Sequence, residues 1–314
     1  MLHFVQSNCL EALATELAEV LRTPLPDALM SDTIVVQHPG IAQWLSLRLA
    51  STLGISANFR FPLPAQFIWN VFRAVLPGVP EAPHPFEGDL LTWRLLALLQ
   101  DLEPADHWAE LRRYIDHQGE REAYELAGRI ALTFERYLMY RPRWIRAWEG
   151  GEDRHWQAQL WRRLAPVGAR HWLHIRDEFM ALPLRRPLDA SVLAPRVCLF
   201  GLRTLSPAYF EVMARLAAAI DVHFFYLNPC RQYFGDVVSS LKRGTGGVDA
   251  GNALIASLAR QGRDVIDTVL AYDPIDQEVF LEPRPATTLG RIQADLLDLI
   301  DRGAPGAAEA VPLP

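Results

Sequence analysis

The sequence predicts an α/β fold: a parallel-sheet domain interrupted by a large all-helical insertion. Three observations carry this. Four short apolar runs, Leu2–Gln6, Thr33–Gln37, Arg196–Gly201 and Asp221–Leu227, have the length and composition of buried strands. Helical spacing follows each of the first three. Between Pro64 and about Arg186 there is almost no strand signal, only helical stretches broken at 77–88, 103–104, 141–142 and 149–151. Strand, helix, strand, helix implies parallel pairing through right-handed crossovers. The expected α/β domain is therefore discontinuous, residues 1–70 plus 187–314, with 71–186 as the insertion.

After the first strand, Leu10, Leu13, Leu17 and Val20 give a helix one apolar face, with Ser7-Asn8 as cap candidates. The second strand runs into Gln37-His38-Pro39-Gly40 and then a helix carrying Ile41, Trp44, Leu45 and Leu49. In an α/β protein, ligands are held at the carboxyl ends of strands. This turn has amide and glycine chemistry but no lysine, acid or nucleophile, which suits contact rather than reaction. Ser206-Pro207 opens the helix of Tyr209, Val212, Met213 and Leu216. Residues 239–251 (SSLKRGTGGVDAG) read as a flexible loop, and a last helix spans roughly 288–301 before a linker-like GAPGAAEAVPLP.

The 314 residues can hold two modest domains or one large one; half are hydrophobic and about a fifth charged, a globular composition. The net charge of −6 carries no overall basic signature, but it is unevenly spread. Between Arg112 and Arg186 there are 15 Arg against 10 Asp and Glu, and seven of the nine Trp lie between Trp93 and Trp172. Arginine interleaved with aromatics suits phosphate contact and base stacking. The alternative, favoured for most of these Trp, is that they anchor helices whose Arg face water. Lys242 is the single lysine, so any lysine-dependent mechanism must use it. Cys9, Cys198 and Cys230 lack zinc-type spacing and read as small buried fillers in a reducing, cytoplasmic setting. No signal peptide and no membrane-spanning run is expected.

No convincing catalytic or metal constellation emerges. The first strand–turn–helix, where a nucleotide-binding domain would place GxxxxGKS or GxxxxGKT, reads Gln6-Ser7-Asn8-Cys9-Leu10-Glu11. It has no phosphate-gripping lysine and carries an acid. Lys242-Arg243-Gly244 has its glycines on the wrong side. The third strand exits at Phe200-Gly201-Leu202 with no Asp-Glu pair for magnesium; Gly201 eases a tight exit. His171 and His174, at i, i+3 on a helix with Asp177 and Glu178 nearby, form a weak metal candidate against the commoner reading of packing and surface polarity.

The remaining polar groups suit contact. Gln37 and Gln43 flank the second turn; an amide donates and accepts, so it can read a base edge, or Gln37 caps the helix while Gln43 faces solvent. In NFRFPLPAQFIW (58–69), Leu63 between two prolines and the flat Trp69 form a platform for a base, a pin for the helix beginning near Ala65, or both. Arg136 and Arg141 end a helix and meet phosphates or bases, or sit solvated at a favourable dipole end.

Taken together, Gln6-Ser7-Asn8, IVVQHPGIAQWL, FPLPAQFIWNVF, RYLMYRPRW, LFGLRTLSPAYF, YLNPCRQYFGD, GNALIASLARQGRD and RIQADLLDL run in order along the chain. In this the sequence resembles the RecC family, the gamma subunit of the RecBCD enzyme (exodeoxyribonuclease V). The resemblance covers essentially the whole chain but only about the first third of a typical RecC. It implies a superfamily-1 helicase-like domain that has lost its ATPase motifs, with its helical insertion. It implies no catalytic centre and no cofactor in this chain, ATP and Mg being bound by RecB-like and RecD-like partner subunits. It implies contact with single-stranded and double-stranded DNA and a part in Chi recognition on the 3′-ended strand. The Chi-reading positions fall on Gln37, Pro39, Gln43, Leu63, Trp69, Leu132, Thr133, Glu135, Arg136 and Arg141. Gln37, Gln43, Leu63, Trp69 and Arg141 agree with the family pattern and Glu135 is a longer acid. Pro39, Leu132, Thr133 and Arg136 depart from it, which puts recognition of the enterobacterial Chi octamer in doubt. A further family arginine falls near Arg170. Two other readings stand beside this one: a scaffold for RecB and RecD assembly without DNA affinity, and a degenerate nucleotide-dependent enzyme.

Overall fold

A computed structural model describes residues 1–299 except 28, 82–83, 104, 106–107, 118, 153–154, 185–192, 236–251 and 285. The expected loop at 239–251, Lys242 and the far end of the last helix lie outside the described residues. The chain forms two compact units, residues 1–68 with 184–314, and residues 69–183.

The first unit is an α/β layer structure. It contains β1 (Leu2–Ser7), α1 (Leu10–Arg22), β2 (Asp32–Val36), α2 (Pro39–Leu53), β3 (Phe59–Arg60) and the start of α3 (Pro64–Val75). The second unit holds the rest of α3, then α4 (Gly88–Gln100), α5 (Ala109–His117), α6 (Glu120–Tyr140), α7 (Pro142–Glu149), α8 (Trp156–Leu164) and α9 (Trp172–Ala181). The chain then returns to the first unit with β4 (Arg196–Phe200), α10 (Pro207–Leu216), β5 (Asp221–Leu227), α11 (Ala253–Leu258), α12 (Arg260–Leu270), β6 (Ile275–Glu278) and α13 (Thr288–Leu297).

All six strands pair in parallel, in the order β3-β2-β4-β5-β1-β6. The central strands are buried on both faces, which is why they read as unbroken apolar runs rather than alternating ones. One face packs Val5, Ile34, Val36, Phe200 and Phe225 against Leu13, Leu17, Leu45 and Leu49 of α1 and α2. β3 and β6 escape the sequence pattern for a physical reason. β3 is two residues long, and β6 (IDQE) is an exposed edge that buries no side chain.

Polar residues lock the sheet. Arg196, nearly fully buried at the start of β4, makes a bidentate pair with Asp32 of β2 at 2.7 and 2.9 Å. Its remaining donors reach the carbonyls of Val20 and Thr23 at 2.8 and 2.7 Å. One guanidinium thus joins two strands to the C-terminal end of α1 and satisfies carbonyls that have no partner within the helix. Cys198 lies buried beside it, and burial pushes its thiol up to about 12.

Two cap expectations are corrected. α1 is preceded by Cys9, half exposed rather than a buried filler, with no side-chain cap bond. Ser7 and Asn8 instead hold the edge beyond β6. The Ser7 hydroxyl donates to Val279 O at 2.8 Å, and the Asn8 amide exchanges two bonds with the Leu281 backbone at 2.8 and 2.9 Å. Likewise α2 is capped by His38, whose Nδ1 accepts from Gly40 N at 2.9 Å, so Gln37 is free of that role. Ser206 caps α10 as the Ser-Pro pair predicts, and Gly201 leaves β4 at φ 65°, a backbone region that favours glycine.

The helical unit is organised by aromatics. Phe134 of α6 meets Trp161 of α8 edge to face at 5.3 Å, and Phe72, Phe86, Trp148 and Trp172 complete a buried cluster. Four of the seven Trp of this region are core anchors, whereas Trp93 and Trp144 are about half exposed.

Candidate nucleic-acid interface

In the first unit, residues at the carboxyl ends of β2 and β3 gather Gln37, Pro39, Gln43 and Leu63 at one end of the sheet. Val36 N donates to Pro62 O at 3.1 Å, which sets Leu63 beside the end of β2, and Leu63 O starts α3 by accepting from Phe67 N at 2.9 Å. Leu63 is 41% exposed, an apolar side chain facing water between two prolines. Pro39 occupies the first turn of α2, where its missing N–H costs nothing.

The two glutamines are not equivalent. The Gln37 carbonyl accepts from Arg203 N at 3.1 Å and its amide donates to Thr204 at 3.3 Å. It ties the β2 exit to the β4 exit and keeps one N–H and one lone pair for any other partner. Gln43 is exposed and makes no hydrogen bond to the described residues, so its whole amide is available.

In the second unit, Leu132, Thr133, Glu135 and Arg136 lie on α6, and Arg141 stands at the corner where α6 becomes α7. Leu132 and Arg136 face solvent. The Thr133 hydroxyl donates to Arg129 O at 2.7 Å, and Glu135 accepts from Gly88 N at 2.6 Å. Glu135 therefore satisfies the first backbone donor of α4, a structural duty that leaves one carboxylate oxygen for other contacts. Arg141 closes α6 through its backbone N–H to Tyr137 O at 2.8 Å, while its guanidinium lies 5.6 Å from the centre of the half-exposed Trp144 ring. Its Nη1 donates to Tyr140 O at 3.3 Å, which leaves its other N–H groups for further partners.

Trp69 does not present a face. It is 5% exposed, stacked on His84 at 4.5 Å and set edge to face against Phe72 and Trp172 at 5.8 Å each. Its indole N–H donates to Glu87 at 2.7 Å. Of the two readings the sequence allows, the packing one describes this geometry. Glu87, pushed above the usual carboxylate range by burial, adjoins Gly88, so Trp69 and Glu135 both brace the same end of α4. Arg170 is equally committed, with bonds to Pro77 O and Gly78 O at 3.0 and 2.8 Å and a bidentate pair with Glu178.

The His171/His174 candidate resolves differently from its sequence reading. His171 precedes α9 as its cap, accepting from Leu173 N through Nδ1, and only His174 lies within the helix. Asp177 pairs with Arg146 and Glu178 with Arg170, so the acid brought to the histidines is Glu149. Burial keeps the His171 imidazole below its ordinary range and neutral. With Nδ1 accepting, its one proton sits on Nε2 and is given to Glu149, which also accepts from Trp161 Nε1 at 3.1 Å. No His171 lone pair is left for a metal. The cluster is a buried network that fastens α7, α8 and α9 together.

At the end of β1, where a triphosphate would lie in a nucleotide-binding domain, Glu11 stands in the first turn of α1. Its own helix backbone and the Cys9 side chain hold it below the usual carboxylate range. A cavity of about 690 Å³ opens beside it, lined by Leu10, Tyr226, Leu227, Leu281 and Leu296 with Arg203 among its polar groups. Among the described residues, its lining includes no lysine and no glycine-rich loop of the kind that phosphates need.

The fold defines a class: a parallel α/β protein whose chain also forms a helical unit. Within that class the chain belongs to the RecC family, matching its N-terminal domain over residues 2–299. It is 30% identical to the RecBCD enzyme subunit RecC of Escherichia coli K12, with 98% of this chain and 31% of that protein aligned. It is 34% identical to the Haemophilus influenzae subunit over 74% of this chain and 24% of that protein, and 29% identical to the Mycolicibacterium smegmatis subunit over 94% and 28%. The chain thus spans about a third or less of the length of these relatives. Among the described residues, no helix is long and apolar enough to cross a membrane.

Proposed function

We propose that this chain is the N-terminal, helicase-like region of a RecC-type subunit acting in repair of double-strand breaks by recombination. In this reading it binds the 3′-ended single strand in the cytoplasm, alongside RecB-like and RecD-like subunits that also engage the duplex. It hydrolyses nothing, ATP and Mg belonging to those subunits. The observation that carries the reading is the donor-rich outer surface of α6 and α7 in a chain of the RecC family, with Arg141 laid on Trp144. Arg141 and its neighbours supply phosphate contacts and affinity; Gln43, and Gln37 with its remaining capacity, supply base contacts and specificity. Leu63 offers an apolar contact to a base. Trp69 and Glu135 act by holding α4 in place. Pro39, Leu132, Thr133 and Arg136 depart from the family pattern, with polar groups lost at Pro39 and Leu132, so the sequence read differs from the enterobacterial Chi.

The test is Gln43→Ala in the assembled enzyme. Losing a base contact worth roughly 1–3 kcal/mol weakens sequence-dependent pausing by on the order of tenfold while unwinding away from the site continues. Unchanged pausing removes Gln43 from the reading set. A second reading, a scaffold without DNA affinity, draws support from the net charge of −6. Single-strand binding that is weak and indifferent to salt favours it.

A further inference from the structure

The outer face of α6 extends well beyond the positions that the family pattern assigns. At 100° per residue, Arg129, Leu132, Arg136 and Tyr140 fall on one stripe opposite the buried face of Ala127, Ile130, Phe134 and Leu138. All four are exposed, and so are Arg143 and Trp144 in the first turn of α7 that follows. Arg129, Arg136 and Arg143 make no ion pair among the described residues. Tyr140 is 57% exposed and Trp144 48%, the Trp144 ring meeting Tyr137 edge to face at 5.3 Å with Arg141 over it at 5.6 Å. From residue 129 to the end of α6 the one acid is Glu135, engaged at Gly88 N through one oxygen, and one turn before Arg129 the exposed Glu125 pairs with Arg121. The run from Arg129 to Tyr140 covers about 16 Å of helix axis, the rise of roughly five stacked nucleotides.

We propose that this stripe is a track for single-stranded DNA. Arg129, Arg136 and Arg143 hold consecutive phosphates, and Tyr140 and Trp144 stack bases next to Arg141. The track rests on the DNA-binding reading above and adds four residues to it: Arg129, Tyr140, Arg143 and Trp144. Donors and ring faces grip phosphates and bases at any sequence. The track therefore contributes affinity beside the base contacts.

The experiment uses the assembled enzyme and a poly(dT) oligonucleotide, titrated over a range of salt. The triple variant Arg129→Gln/Arg136→Gln/Arg143→Gln removes three cations from a solvated face. The expected result is binding at least tenfold weaker at low salt, with the log–log salt slope shallower by about 2, from roughly 0.7 per phosphate contact on single strands. Trp144→Ala weakens binding about tenfold without changing the slope, and Trp144→Phe restores most of it, since only the ring face is needed. An unchanged slope overturns the track, and so does a triple variant whose only defect is failure to assemble with its partner subunits, which marks the stripe as a protein interface. Altered pausing by Gln43→Ala alongside an unchanged slope overturns the track alone; no change in either measurement overturns the DNA-binding reading with it.

Discussion

Trp69 shows how a residue matters to a surface without belonging to it. The sequence offers its flat ring equally as a base platform and as a helix pin. The structure buries the ring and uses its N–H on Glu87, and Glu87 adjoins the backbone donor held by Glu135. Trp69→Phe therefore keeps the packing but leaves a buried carboxylate short of one donor. The expected cost is about 1–3 kcal/mol of stability in denaturant unfolding, with DNA affinity following stability. A direct base contact predicts the reverse, lost affinity at unchanged stability. Gln37 and Gln43 make a similar pair: alike in sequence, they differ because only Gln37 has the β4 exit within reach. Nothing local to either residue announces this.

At the scale of elements, legibility follows burial. β1, β2, β4 and β5 bury apolar side chains and were readable within a residue of their ends. β6 was not, because an edge strand of Ile-Asp-Gln-Glu is held by hydrogen bonds and not by apolar area. Its anchors come from the other end of the chain. Gln6 donates to Asp276 at 2.9 Å, Val279 N donates to Gln6 O at 2.9 Å, and Ser7 and Asn8 hold Val279 and Leu281. Asn8→Ala removes two of these bonds. Hydrogen exchange at 279–281 then accelerates, while global stability falls by only about 1–2 kcal/mol, since the site is exposed and the core strands are untouched. Equal protection in the variant refutes the staple.

For the whole molecule, each unit carries a histidine that its surroundings pull down to about 4, beside the neutral His171 of the helical unit. In the first unit, His223 of β5 stacks on His3 at 4.4 Å, and burial, with His3 and Arg196 nearby, depresses it to about 4 despite Asp221. In the helical unit, burial with Arg73, His171 and Arg94 nearby holds His84 at about 4. Both sit below the ordinary 6.5, so the unfolded chain binds more protons than the folded one between those values. Stability from both groups is fully present above about pH 6.5 and is lost as pH falls toward 4. Denaturant unfolding at pH 7 and pH 5 is expected to show this loss in both units. His223→Asn flattens the profile for the α/β unit, and an unchanged profile removes His223 as the cause.

The sequence by itself determined the family, the parallel α/β character, the helical stretch and the missing lysine. Those properties are written in burial periodicity and residue identity, which local composition records. Only the tertiary structure decided which of the contact residues stand free. Whether Trp69, Glu135, Gln37 and Arg170 face a ligand or a neighbour depends on partners 18, 47, 166 and 93 residues away in the chain. Hydrogen-bond capacity used across such separations leaves no periodic trace. The exposed stripe of α6 and α7 became visible once the buried face of the same helix was known.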